Sequence, residues 1–116
     1  MKIYLVMPVR NSDPTTRRVA YEAVAHWESL GHQVHFPLRD APQDCPTGER
    51  ICEAHLRAMR ECHQVRVLWD EDSKGSHFDI GMAYALGKPI FKTGNVGRIP
   101  PEKSYWNAVM LEPEEF

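Results

Sequence analysis

No apolar run in this 116-residue chain approaches the roughly 20 residues a membrane-spanning helix requires, so no membrane partner is expected. Excess positive charge is missing too. The 14 Lys and Arg are set against 16 Asp and Glu, a formal net charge of -2. Binding to a nucleic-acid backbone usually needs a basic face, and this balance gives none. Cysteine is scarce: Cys45, Cys52 and Cys62 make an odd count with no Cys-x-x-Cys pair, which argues for reduced thiols and a cytoplasmic setting. Cys52 and His55 share one helix face, but Cys62 and His63 point apart, so no metal site is expected, and no cofactor. A Gly-x-Ser-x-Gly elbow and Ser-His-Asp spacing are both absent, so acyl-transfer hydrolysis has no support. Repeats, low-complexity tracts and linkers are also wanting. The opening Met-Lys-Ile-Tyr-Leu-Val-Met-Pro carries one basic residue and ends its apolar run at Pro8, too short for a signal peptide and better suited to a first strand.

What is present alternates between short apolar runs and helical periodicity, the pattern of an α/β domain with a parallel sheet. Lys2 to Pro8 is apolar on both faces, as a central parallel strand should be. Asp13 and Pro14 form a cap and a first helical residue. Val19, Ala23, Val24, Trp27 and Leu30 then follow on one face, and Gly31 stops the helix. A second strand is expected over Gln33 to Leu38, then loop to Gly48. A helix follows from about Glu49 to Cys62 with Thr47 as cap, and a third strand from Gln64 to Trp69. The next helix is expected over Ser76 to Leu86, a short strand over Lys88 to Lys92, and a fifth strand over Asn107 to Leu111. Right-handed crossovers then give one domain, 1–116: a flavodoxin-like or Rossmann-like three-layer α/β sandwich of about five parallel strands in the order 2-1-3-4-5. Its ligand crevice lies where the order reverses, between the first and third strands.

The segment Ser73-Lys-Gly-Ser-His-Phe-Asp79 falls at that crevice. A small-residue turn leading into a helix N-terminus suits an anion such as phosphate. Met7, Pro8 and Arg10 line one side of it, and Trp69, Ser73, Gly75 and Ser76 the other. Arg10 supplies a bidentate cation. Trp69 either packs in the core or, as expected at a strand end, stacks on a base at the rim. Two readings of Asp79 stand together. It can complete a capping box begun by Ser76, or it can act on a sugar carbon as a carboxylate nucleophile or electrostatic partner.

Lys2-Ile-Tyr-Leu5 together with Gly75-Ser-His-Phe-Asp79-Ile-Gly-Met-Ala-Tyr-Ala-Leu-Gly-Lys-Pro89 resembles the nucleoside 2-deoxyribosyltransferase superfamily, nearer its deoxynucleoside 5'-monophosphate N-hydrolase branch. The likeness runs from about Lys2 to Ile90. It implies cleavage of an N-glycosidic bond, a nucleotide or nucleoside as small-molecule partner, and a homodimer or larger homo-oligomer with sites near subunit interfaces. By the same likeness the catalytic Glu of the family falls on Asp79, Ser73 and Arg10 hold the phosphate, and His55 stands where the family has an acid on the preceding helix. Asp79 is one methylene shorter than Glu, about 1.5 Å less reach. A non-catalytic pocket that binds or senses a nucleotide is the alternative reading.

Overall fold

The computed structural model describes residues 1–10, 12–40 and 46–93. Among the described residues, four strands and four helices run β1 (Lys2–Val6), α1 (Pro14–Ser29), β2 (Gln33–His35), α2 (Pro37–Asp40), α3 (Glu49–Glu61), β3 (Gln64–Val67), α4 (Lys74–Ala85) and β4 (Ile90–Lys92). All pairings are parallel, in the order β2-β1-β3-β4. This is the expected α/β topology. The fifth strand expected over Asn107 to Leu111 lies outside the described residues.

Alternation along β1 divides the core. Ile3, Leu5 and Met7 face α1, where Ala20, Val24 and Trp27 meet them with Val34, Phe36 and Leu68. Tyr4 and Val6 face the opposite layer, formed by Met59 and Cys62 near the end of α3 and by Ile80 and Ala83 of α4. β1 is buried on both sides because a central parallel strand is covered by helices above and below. The helix α1 begins as its sequence requires. Asp13 accepts a hydrogen bond from the Thr16 amide at 2.7 Å, and Pro14 occupies the first turn. Gly31 follows its end at φ +91°, a left-handed conformation that glycine adopts at low cost.

Three local expectations are corrected. The second strand stops at His35, because Pro37 starts the single turn of α2, where the Phe36 carbonyl accepts from the amides of Arg39 and Asp40. Gly48, not Thr47, occupies the N-cap of α3, at φ +81° and with no side-chain cap. The helix α4 starts two residues earlier than its pattern suggested. Ser73 is its cap and accepts from the Ser76 amide at 3.2 Å, so no capping box forms between Ser76 and Asp79. Asp79 therefore sits in the second turn, and its carboxylate is left for other partners.

Candidate functional site

Beyond the carboxyl ends of β1 and β3 lies a cleft of about 540 Å³. Its walls are Met7, Val9 and Arg10 after β1, Pro37 of α2, Ile51, Cys52 and His55 of α3, and Asp72 to Gly75, Phe78 and Asp79 around the start of α4. This is the crevice where the strand order reverses, the usual ligand position in an open parallel sheet. Six of the residues anticipated from sequence line it: Met7, Arg10, His55, Ser73, Gly75 and Asp79.

Three others do not. Trp69, expected at the rim, is only 3% exposed and belongs to the core beneath the cleft, where its ring lies 4.9 Å from that of His77. It lies two residues past the end of β3, and α4 closes over it. Pro8 is buried and does not reach the cleft. Ser76 turns inward on the buried face of α4, and its hydroxyl has no hydrogen-bond partner among the described residues.

The floor of the cleft is built by register and helix phase. Tyr4 and His35 are paired across β1 and β2, so their side chains leave the same face and stack with ring centroids 4.9 Å apart. The helix α3 lies over that face and lowers His55 onto both rings, edge-on at 5.9 Å from Tyr4 and 5.7 Å from His35. From α4, Asp79 reaches the same point. The Tyr4 hydroxyl donates to its Oδ2 at 3.1 Å, and His55 Nδ1 lies 3.4 Å from its Oδ1. The Asp79 side chain is 8% exposed, so these two contacts act in a poorly screened setting and fix its orientation.

Two titrations are displaced in this cluster. Burial, then the neighbouring Asp79 carboxylate, pushes ionisation of the Tyr4 phenol far above its ordinary range, so the hydroxyl remains a donor. Burial, then the charge of His55, holds the His35 imidazole below its ordinary value, so it stays neutral to lower pH than a free histidine.

The upper wall of the cleft is suited to an anion. The amides of Lys74 and Gly75 belong to the first turn of α4 and have no carbonyl within the helix to bond, and the cations of Arg10 and Lys74 line the same space. The Ser73 hydroxyl accepts the cap bond and retains its own proton to donate. On the other side, Ile51 of α3 and Phe78 of α4, the latter 58% exposed, give the cleft apolar jaws.

The roles of Tyr4 and His35 were not assigned from sequence. The signal was present in Tyr4: a phenol in a strand apolar on both faces must find a partner for its hydroxyl. Nothing local identified that partner, which lies 75 residues away.

A parallel sheet with a buried carboxylate and an anion-suited helix start at its switch point defines an α/β protein with a ligand cleft. The comparisons narrow the class. The nucleoside 2-deoxyribosyltransferase family profile matches residues 3–99, and the chain belongs to that family. Its fold is similar to that of a 2-deoxyribosyltransferase from the psychrotolerant bacterium Bacillus psychrosaccharolyticus. That structure is 20% identical, covers 99% of this chain and 87% of its own, and superposes with a TM-score of 0.76. The fold is also similar to that of the Clostridium botulinum CMP N-glycosidase BcmB, at 16% identity, 97% and 88% coverage and a TM-score of 0.66. No curated protein gives a significant match.

Proposed function

We propose that this protein cleaves the N-glycosidic bond of a nucleotide or nucleoside, or transfers its deoxyribosyl group, with Asp79 as the carboxylate that meets the anomeric carbon. The observation that carries the reading is the setting of Asp79. It is an acid at the floor of a cleft of suitable size, with one oxygen bonded by the Tyr4 hydroxyl and the other facing His55. Membership in the nucleoside 2-deoxyribosyltransferase family supports the reaction class.

In this scheme an Asp79 oxygen bonds to the anomeric carbon as the carbon–nitrogen bond breaks. The bonding pair leaves with the base, which takes up a proton. The glycosyl ester is then opened by water, or by a second base in a transfer, and the carboxylate is regenerated. Tyr4 restrains the carboxylate and disperses its charge. His55, in contact with that carboxylate, is the candidate proton donor to the leaving base. Arg10, the Ser73 hydroxyl and the amides of Lys74 and Gly75 are the candidate holders of a 5'-phosphate, which favours a nucleoside monophosphate over a nucleoside.

A second reading has its own observation. Both Asp79 oxygens are engaged inside the protein, and aspartate reaches less far than glutamate, which suits a cleft that binds a nucleotide without turning it over. The two readings part in one experiment. A panel of deoxynucleosides and their 5'-monophosphates is incubated with the protein, and free base is separated chromatographically. Release from any member supports the glycosidase reading. No release from any of them, with ligand-induced thermal stabilisation retained, leaves the binding reading.

A further inference from the structure

We propose that His35 is a positioning residue for Asp79, acting through Tyr4 and His55 without meeting the substrate. The proposal rests on the reading of Asp79 as the reacting carboxylate. His35 does not line the substrate cleft; it borders a separate groove of about 200 Å³ with Val34, Asp40 and Cys62. Its ring is nevertheless the shared wall of both groups that hold Asp79. It stacks on Tyr4 at 4.9 Å with a 28° interplanar angle, and it stands at 79° to His55 with centroids 5.7 Å apart.

A small side chain at position 35 would open a path from the groove into this layer. Tyr4 would lose its stacking partner and His55 the ring it abuts, so both could move from the Asp79 oxygens they now touch. A displacement of about 1 Å at a reacting group can cost on the order of 100-fold in rate. The phosphate-holding groups on the far side of the cleft would not move.

The chemistry of the ring adds a second requirement. The groups facing His35 are Tyr4 from β1, His55 from α3, Asp79 from α4, and Arg39 and Asp40 from α2. The Nε2 atoms of His35 and of His55 are both buried without a hydrogen-bond partner among the described residues. Two imidazolium rings at this separation would repel, and Arg39 adds to the repulsion. His35 therefore serves as a spacer only while neutral, and its protonation would disturb the contact between His55 and Asp79 at the acid end of the activity profile.

The test compares His35→Ala, His35→Phe and wild type on the best substrate from the base-release panel. The alanine variant is expected to lose about 10- to 100-fold in kcat with KM changed less than about twofold. The phenylalanine variant keeps the flat stacking surface and cannot take a charge. It should retain kcat near neutral pH and extend activity to lower pH than wild type. Crystal structures of the two variants should show the Tyr4 and His55 contacts to Asp79 kept in His35→Phe and lengthened by about 1 Å in His35→Ala, and this arm needs no turnover. A phenylalanine variant whose acid limb coincides with wild type, or an alanine variant that leaves both contacts to Asp79 in place, would overturn the proposal. If wild type releases no base, the reading of Asp79 fails on its own, and the Tyr4 and His55 contacts in the two variants decide whether His35 positions the cluster.

Discussion

Replacing Tyr4 by Phe removes one oxygen and leaves the rest of the cluster in place. The ring is fully buried and stacked on His35, so its apolar contacts survive in the variant. What disappears is the 3.1 Å bond to Asp79 Oδ2. Hydrogen bonds to charged groups contribute about 1.5–3 kcal/mol, and a buried acceptor left without its donor cannot recover this from water. For a chain of this size, that corresponds to a fall in melting temperature of roughly 6–12 °C. Urea unfolding should show a lower midpoint with an unchanged slope, since the surface exposed on unfolding is the same. The sharper assay is the double-mutant cycle of Tyr4→Phe with Asp79→Asn. If the bond holds the carboxylate, the second substitution should cost far less in the Phe background, with a coupling of at least about 1 kcal/mol. Additive costs, within about 0.3–0.5 kcal/mol, would refute the view that Tyr4 restrains Asp79.

Three further outcomes follow from the same geometry. Arg10→Ala should weaken binding of deoxynucleoside 5'-monophosphates by about tenfold or more, as loss of a charge-assisted bond implies, and leave nucleosides little affected; isothermal titration measures both. Ser73→Ala should destabilise the ligand-free protein by about 0.5–2 kcal/mol in urea, whereas Ser73→Gly should cost only a few tenths, because glycine is tolerated at an N-cap. Below the ordinary histidine value of 6.5, the unfolded chain takes up a proton at position 35 more readily than the folded one. Stability must therefore fall as pH drops through that range, and thermal melts of His35→Phe should show a shallower fall than wild type.

The topology was readable because its signals are local. Apolar runs mark β1 and β3, Asp13 and Gly31 bracket α1, and the alternation of strands and helices dictates parallel pairing. Helix starts were read less well. Ser73 and Ser76 are both competent caps, and tertiary packing chose the first by drawing Ser76 onto the buried face of α4. The cleft followed from the switch point, but its floor did not. Tyr4, His35, His55 and Asp79 come from four elements and meet only through strand register and the phase of two helices. Trp69 shows the converse: a strand-end position suggested exposure, and α4 covers it.

The central claim is that Asp79 performs the chemistry at the floor of this cleft. Base release by wild type and Asp79→Asn, measured on the same deoxynucleoside 5'-monophosphate alongside its thermal stabilisation of each, tests that claim most directly. The account predicts release by wild type alone, with both proteins stabilised by the nucleotide. Release by Asp79→Asn at the wild-type rate would contradict it.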